Sequence, residues 1–230
     1  MSKPVSNSAS LTSAPFTHEQ TSISRTMLLV MIALLPATVY GIYQFGLPGL
    51  FVFVLTIAAC IIFEAVCLII AGKPVKPYLL DGSAVLTGWL LAMTLPPWSP
   101  WWLATVGAFL AIVVGKQVFG GIGQNLFNPA MVARVALLIA FPLEMTSWVQ
   151  PQTMFSSGAP DFVDSLSITF SGSMPATYDA ISSATILGYV KTEIGRGIPL
   201  HDVLADNYDV LGLATGSVAG SLGETSAILI

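Results

Sequence analysis

The sequence predicts an all-α protein, a polytopic bundle of transmembrane helices with one long extracytoplasmic loop. Of its 230 residues, 54% are hydrophobic and 9% are charged, and the mean hydropathy is +0.80. Soluble domains carry roughly 25% charged residues, so this chain has too few to cover a globule. Its apolar runs approach the roughly 20 residues that cross a bilayer, and its only long polar stretch covers residues 150–209. The net charge of −4 excludes a basic nucleic-acid-binding surface.

The first two apolar runs predict two transmembrane helices joined by a tight turn. Residues 1–25 are polar and lack the apolar core of a signal peptide, so they are predicted to form a tail. The helices are predicted over residues 26–45 and 50–71, each long enough for a hydrocarbon core of roughly 30 Å. Residues 46–49 contain two glycines and a proline, which predict the turn between the helices.

The third apolar segment is short. As a helix, residues 83–95 would cover roughly 20 Å at about 1.5 Å per residue. This length predicts either a helix extended by its flanks or a broken helix that lines a cavity. A fourth span is predicted over residues 103–118, and a fifth from Pro129 to near Trp148. A glycine-rich loop, residues 120–128, separates the last two.

The chain is therefore predicted to have four regions. A sixth apolar run begins at residue 210 and is expected to continue beyond Ile230, so a C-terminal truncation is expected. The regions are a cytoplasmic tail (1–25), a five-segment transmembrane region (26–149), an extracytoplasmic loop (150–209) and the start of a further transmembrane helix (210–230).

The positive charges predict the orientation of the bundle. If every span crosses, most of the eight lysines and arginines lie on one side, which the positive-inside rule makes cytoplasmic. The tryptophans agree, because they fall at the opposite interface, where aromatic belts form. The N-terminus is therefore predicted to be cytoplasmic and residues 150–209 extracytoplasmic. The cations are Lys3, Arg25, Lys73, Lys76, Lys116 and Arg134, and the tryptophans are Trp98, Trp101, Trp102 and Trp148.

Glu64 is the one acidic residue well inside a predicted span. It lies about seven residues from the inner end of the second helix, roughly 10 Å deep. A carboxyl group in a membrane is costly and marks a functional position by default. Glu64 is therefore a candidate for the path of H⁺ or Na⁺, and the competing interpretation is a protonated or hydrogen-bonded Glu that serves only the bundle. Glu144 and Glu224 lie near predicted span ends and are weaker candidates.

Other motifs favour structural interpretations. Asn128-Pro129-Ala130 occurs in channels that need two such boxes, and the sequence has one, so Asn128 is predicted to cap a helix that Pro129 opens. The glycines of the loop before it lack the spacing of a nucleotide-binding fingerprint. Cys60 and Cys67 lie in one apolar run and are predicted to be packing residues. No motif predicts a metal site or a catalytic acid or base.

The polar stretch contains a run of small residues with exposed hydroxyl groups, Ser182-Ser183-Ala184-Thr185. Such a run usually forms a loop or a helix cap. It could instead offer the hydroxyl of Thr185 for esterification by a phosphate, because the flanking side chains shield it little.

Three longer motifs resemble one family of membrane proteins. The segment Asp81-Gly-Ser-Ala-Val-Leu-Thr-Gly-Trp-Leu-Leu-Ala-Met-Thr-Leu-Pro-Pro97 resembles a signature of RnfD, a membrane protein of the Rnf electron-transport complex. The segment from Gly115 to Ala130, followed by Arg134, is similar in RnfD and in NqrB, its counterpart in the sodium-pumping NADH:quinone reductase. Gly223-Glu-Thr-Ser226 resembles a later motif of both. The order and length of the motifs make the resemblance specific, and the Asp81-Gly-Ser-Ala84 segment favours the Rnf member.

The resemblance implies a covalent flavin. Family members carry FMN joined through its phosphate to a threonine hydroxyl in a Ser-Gly-Ala-Thr motif, and the matching run here ends at Thr185, with Ser182 and Ala184 at their places in it. Ser183 stands where the family has glycine, a departure that concerns recognition by the enzyme that attaches the flavin. The resemblance also implies a multi-span fold, the bacterial inner membrane and the possibility of a second, non-covalent flavin. Residues 150–209 would then be the flavin-bearing loop.

Two functions follow as hypotheses. The first is a membrane subunit of a redox-driven ion pump, an Rnf-type complex that couples electron transfer between ferredoxin and NAD to translocation of H⁺ or Na⁺. Its expected partners are the other subunits, including another flavin subunit, and the lipid bilayer. The second is a cofactor-free secondary transporter or channel subunit, which the short third segment and Glu64 support.

Overall fold

The computed structural model describes residues 22–156, 158–172 and 186–199, together with 212, 216, 218–223 and 226. The regular elements of these residues are helices, so the fold is all-α as predicted. The α-helices are α1 (Ile23–Ile70), α2 (Val75–Leu79), α3 (Ser83–Thr94), α4 (Trp101–Phe109), α5 (Pro129–Ala140), α6 (Pro142–Thr146), α7 (Phe162–Leu166) and α8 (Ile186–Gly195). A π-helical turn, Leu110–Val114, follows α4, and a 3-10 turn, Gln117–Phe119, comes after it. A second π-helical turn, Ser167–Ser171, follows α7.

Helix α1 contains the first two predicted spans and reverses direction between them. Gly46 breaks the helical geometry with φ 72° and ψ −160°, a conformation that glycine adopts without strain. Trp89 of α3 contacts both halves, since its Nε1 donates to Thr38 Oγ1 at 2.8 Å and its ring meets that of Phe53 edge-on at 5.3 Å. The two halves therefore form a helical hairpin, and the predicted turn is confirmed.

Helix α3 lies in the groove of this hairpin. Gly88 allows the close approach, because a Cβ atom there would lie 2.9 Å from Ile57 Cα and 3.2 Å from Cys60 Cβ. Small residues at such crossings let helix backbones approach closely in membranes. With 12 residues, α3 confirms the short third segment. It ends before Pro96 and Pro97, which have no N–H to continue the helix.

The backbone groups that α3 leaves free are satisfied by a segment from the end of the chain. Leu222 N donates to Leu95 O at 3.3 Å, and Gly223 N donates to Met93 O at 2.8 Å. Leu222 is buried beside Gly41 and Gly49, which have no side chains to exclude it. Non-helical backbone at membrane depth is tolerated where protein buries it, as it does here.

The fifth predicted span is interrupted. A continuous helix was predicted from Pro129 to near Trp148, but α5 ends at Ala140, and Phe141 separates it from the short α6. Pro142 explains the break, because a proline disfavours helical geometry at the residue before it. Helix α5 still packs into the main core, where Ala133 and Leu137 belong to one buried cluster with residues of α1, α3 and α4.

The loops fall at two opposite ends of the bundle. At one end, Ser24 Oγ donates to Leu80 O at 3.5 Å and Lys73 Nζ donates to Gly120 O at 3.2 Å. At the other end, Trp98 Nε1 donates to Phe45 O at 3.1 Å and Met154 N to Tyr43 O at 2.9 Å. The loop that carries Lys73 and Lys76 thus lies at the same end as the start of α1 and Gly120.

The outer surface of the bundle is apolar. Two helices among the described residues, Ile23–Ile70 and Trp101–Phe119, are long and apolar enough to cross a membrane by length and composition. Ile62 and Ile69 are 59% and 67% exposed on the second half of α1. Exposed apolar faces on most helices fit a lipid environment or contact with other subunits.

A bulkier residue at Gly88 tests the packing of α3 in the hairpin. Gly88→Leu in the full-length protein should lower the stability in detergent by about 1–3 kcal/mol, because the added atoms force helix backbones apart. Thermal unfolding would measure the loss. Gly195→Leu is the control, since a Cβ atom at Gly195 meets nothing within 4 Å. Equal stability of the two variants would contradict the packing described here.

Candidate functional site

The predicted flavin residues lie outside the described part of the chain. Ser182, Ser183, Ala184 and Thr185 precede helix α8, which begins at Ile186. The other predicted site residue, Glu64, lies within the described part, together with the groups around it.

Glu64 lies inside the bundle on the second half of α1. Its side chain is 2% exposed, so the carboxyl group faces the interior rather than lipid, as both interpretations of Glu64 require. Its Oε1 atom accepts hydrogen bonds from Lys116 Nζ at 2.9 Å and from Gln117 Nε2 at 2.7 Å. Its Oε2 atom is buried and has no hydrogen-bond partner among the described residues. The carboxylate therefore has one satisfied oxygen and one unsatisfied oxygen.

The partner of Glu64 is Lys116, which the sequence analysis counted among the cations of the predicted cytoplasmic side. Its burial was not predicted: the side chain is only 3% exposed, and its ammonium group forms an ion pair with Glu64. The residue lies between the π-helical turn Leu110–Val114 and the 3-10 turn Gln117–Phe119. This change of helical pitch ends the straight course of α4, and the lysine side chain is directed into the bundle.

A second carboxylate is linked to the ion pair through a serine. Lys116 Nζ also donates to Ser83 Oγ at 2.7 Å, and Ser83 Oγ donates to Asp81 Oδ1 at 2.6 Å. Asp81 Oδ1 also accepts from Ser83 N at 2.7 Å, which satisfies a free N–H of the first turn of α3. Asp81 is half-buried, so the hydrogen bonds run from the bundle interior to a partly accessible carboxylate.

The buried polar cluster, defined as Glu64, Asp81, Ser83, Lys116 and Gln117, joins three parts of the chain. The members come from α1, from the start of α3 and from the turns after α4. Asp81 belongs to the Asp-Gly-Ser motif and Lys116 to the Gly-Lys-Gln motif, so these two motifs meet in space. Sequence reasoning singled out Glu64 but missed its partner, because a lysine at a span end has the same pattern whether it faces water or protein.

The cluster holds one cationic group, the ammonium of Lys116, between a carboxylate and a hydroxyl oxygen. Burial of an unpaired charge costs several kcal/mol, so each ion requires the other. Carboxylate and hydroxyl oxygens are ligands of hard cations, and the cluster directs such oxygens at one ammonium group. Ionisable groups at membrane depth commonly line ion pathways.

A cavity lies at the opposite end of the bundle. Its volume is about 380 Å³, and its lining includes Trp98, Ser99, Trp102 and Glu144. Ser99 is buried, and its Oγ has no hydrogen-bond partner. The volume falls in the range of roughly 300–1,000 Å³ that is typical of small-molecule sites. Glu144, a weaker candidate for the ion path, thus lines this cavity.

The Asn-Pro-Ala motif is a helix cap, as predicted. Asn128 Oδ1 accepts from Ala130 N at 3.0 Å, and Pro129 occupies the first position of α5. Cys60 is buried and Cys67 half-buried, and both are free thiols.

Comparison with known proteins identifies the family. The model of the NQR2, RnfD, RnfE family matches residues 10–230. The chain belongs to this family. The match includes the three motifs that carry the resemblance and four members of the cluster, Asp81, Ser83, Lys116 and Gln117, that lie within them.

Similar curated proteins share one name and are the D subunits of ion-translocating oxidoreductase complexes. The chain is 49% identical to the protein from Rhodobacter capsulatus over 216 residues, 94% of the chain and 59% of the relative. It is 50% identical to the one from Stutzerimonas stutzeri over 92% of the chain and 59% of the relative, and 47% identical to the one from Halorhodospira halophila over 96% and 61%. The chain thus spans about three-fifths of the length of these relatives.

A double-mutant cycle tests the ion pair. Glu64→Leu or Lys116→Met alone should destabilise the protein by about 3–5 kcal/mol, because each leaves an unpaired charge in the bundle. The double variant should cost much less than the sum, since neither charge remains. Thermal unfolding in detergent provides the four values. Strictly additive effects would show that the two side chains do not interact.

Proposed function

We propose that this protein is a membrane subunit of an ion-translocating oxidoreductase complex of the Rnf type. The observation that carries the proposal is identity of 47–50% over at least 92% of the chain to three relatives of that name. The all-α fold with apolar outer faces supports it, because a subunit of such a complex must lie in the bilayer. The membrane is the bacterial inner membrane, with the N-terminus in the cytoplasm and residues 150–209 outside.

The proposed cofactor is FMN, joined by a phosphoester to the hydroxyl of Thr185. Ser182, Ser183 and Ala184 precede this threonine, and side chains this small would give its hydroxyl little steric shielding from an attaching enzyme. The cavity beside Trp98 and Ser99 supports a cofactor on this side, since residues 150–172 follow directly from that end of the bundle. Ser183 replaces the usual glycine, and a serine is small enough to preserve attachment.

When bound, FMN supplies electron transfer, which no protein side chain of the described cluster provides. The chain contributes the anchor, Thr185, and the membrane bundle that carries it. Neither role requires a catalytic acid or base. We propose that electrons arrive from another flavin subunit at the outer face and continue through the complex. Ferredoxin and NAD are the terminal electron carriers, and a second flavin held without a covalent bond is a further part of the proposal.

The ion path is proposed to include Glu64. Its buried carboxylate lies near the end of the bundle where the basic loops lie, and one of its oxygens has no hydrogen-bond partner. Redox energy would then drive H⁺ or Na⁺ through the membrane part of the complex, with Glu64 as an early binding position.

A cofactor-free transporter or channel subunit is the second candidate. The observation that favours it is the coexistence of the buried polar cluster with interrupted helices at Gly46 and Phe141. Such interruptions commonly surround substrate sites in secondary transporters. This candidate predicts transport by the purified subunit alone and no flavin absorbance, whereas the redox subunit requires its complex.

Replacement of Thr185 tests the flavin anchor. Thr185→Ala should abolish the flavin fluorescence of the full-length subunit on a denaturing gel, because no hydroxyl remains to form the ester. Thr177→Ala, which removes a threonine of the same polar stretch outside the motif, is the control and should remain fluorescent. The mass of the peptide that contains Thr185 gives an independent readout. Fluorescence that persists in Thr185→Ala would place the anchor elsewhere.

Cysteine labelling tests the orientation. Leu126 and Phe155 are 75% and 85% exposed and lie at opposite ends of the bundle, so each would be accessible as a cysteine. In a background with Cys60 and Cys67 replaced by alanine, a membrane-impermeant thiol reagent added to whole cells with a permeable outer membrane should label Phe155→Cys. It should label Leu126→Cys only after lysis. The reverse pattern would invert the proposed topology.

A further inference from the structure

We propose that Lys116 is a tethered counter-ion whose ammonium group occupies, between turnovers, the position that the transported monovalent cation takes at Glu64. The inference rests on the proposed function, in which Glu64 lies on the ion path. It adds a cation-exchange site and a role for a residue that neither the family nor the names of the relatives describe.

The surroundings of the ammonium group resemble those of a bound cation. Lys116 Nζ lies 2.9 Å from Glu64 Oε1 and 2.7 Å from Ser83 Oγ, so its described partners are oxygen atoms of two different helices. Oxygen atoms from carboxylate and hydroxyl groups are also the ligands of hard metal cations. A site that holds an ammonium group in this way is therefore built from the ligands that an alkali cation needs.

One ligand of this site is left unused by the lysine. Glu64 Oε2 is buried without a hydrogen-bond partner, although a carboxylate oxygen at this depth normally has one. The ammonium group and Gln117 Nε2 both contact the other oxygen, Oε1. A cation that bridged both oxygens would give Oε2 the partner that Lys116 does not provide. A proton on Oε2 would neutralise that oxygen instead.

The charges permit a one-for-one exchange. Asp81 and Glu64 carry one negative charge each and Lys116 one positive charge, so the cluster has a formal charge of −1. When one monovalent cation enters and the ammonium group leaves, the formal charge is unchanged. Cys60 and Cys67, about one turn from Glu64 on either side, are further titratable groups near the pair. As neutral thiols they add no charge to this count.

The position of Lys116 in the chain allows it to leave. The residue lies between a π-helical turn and a 3-10 turn, and such irregular turns often occur at functional sites. Gly120 and Gly121 follow with φ of 108° and 107°, a region that few other residues adopt. A lysine also carries its charge on a flexible stem with rotatable donors, unlike the rigid fork of an arginine.

The hydrogen bonds around Ser83 provide an entry route for the exchanging ion. Ser83 connects Lys116 to the half-buried Asp81 through its hydroxyl group, which donates to Asp81 Oδ1 at 2.6 Å. Lys73 Nζ bonds Gly120 O and Ser24 Oγ bonds Leu80 O at this end of the bundle, so the half-buried Asp81 lies on the side of the basic loops. Asp81 would attract a cation from this side and pass it toward Glu64.

The test measures cation dependence in the whole complex, reconstituted in liposomes with the full-length subunit. Redox-driven transport is measured against Na⁺ concentration at constant pH, and against pH without Na⁺. If the ammonium group occupies the site about 90% of the time, Lys116→Met should lower the half-saturating concentration of the transported ion about tenfold. The ion that shows the shift is the one that the site binds.

Two matched variants complete the design. Lys76→Met removes an exposed lysine at the same end and should leave half-saturation unchanged. Lys116→Arg keeps the tethered charge and adds a bidentate grip on Glu64, so it should raise the half-saturating concentration several-fold. It also provides the test if Lys116→Met does not assemble. Unchanged half-saturation for both ions in either assembled Lys116 variant overturns the inference.

Failure of the inference is distinguishable from failure of the proposed function. Flavin content reports whether the subunit carries its proposed cofactor, and the Lys116 variants should retain the flavin because Thr185 is unchanged. Glu64→Gln reports whether the carboxylate lies on the ion path. Normal transport with normal half-saturation in Glu64→Gln removes Glu64 from the path. If Glu64→Gln impairs transport and Lys116→Met has no effect, Glu64 remains on the proposed ion path. Only the role of Lys116 as a tethered counter-ion is then contradicted.

Discussion

The structure depends on one constraint: each polar group inside an apolar bundle needs a partner within the protein. Glu64 and Lys116 satisfy it by pairing with each other at 2.9 Å, and Ser83 and Gln117 complete most of the remaining hydrogen bonds. The pair connects the second half of α1 to the turns after α4, and Ser83 adds α3. The same interaction therefore joins three parts of the fold and creates a charged position within it. The ion pair that joins these parts of the fold is therefore also the position at which ion binding is proposed.

The same constraint explains the irregular backbone at the other end. Pro96 and Pro97 end α3 and leave the carbonyl groups of Met93 and Leu95 available, and these accept from Gly223 and Leu222. The backbone groups at this helix break thus form hydrogen bonds within the protein rather than facing lipid. Helix breaks that are compensated in this way permit cavities and binding positions in a bundle of helices. The cavity beside Trp98 and Ser99 lies near one of them.

Much of the fold can be predicted from the sequence. The rest cannot, and the reasons are physical. Gly46 with Pro48 identifies the hairpin turn, and Asn128 with Pro129 identifies a helix start, because these residues act locally. Pro142 indicates the break after α5, but the apolar residues on both sides of it favoured the prediction of one continuous helix. The ion pair between Lys116 and Glu64 could not be predicted, since 52 residues separate them. A lysine at a span end also has the same sequence pattern whether its side chain faces water or a buried carboxylate. For Thr185 the sequence remains the only source, as it lies outside the described residues.

The central claim is that Glu64 and Lys116 meet inside the bundle, so that the site is charged, paired and shielded from lipid. The most direct measurement is an experimental structure of the full-length subunit in its complex, in lipid and at a resolution that shows side chains. We expect Lys116 Nζ to lie within about 4 Å of a Glu64 carboxylate oxygen in the resting state. A map in which Lys116 points into the cytoplasm and Glu64 has another partner would contradict the claim.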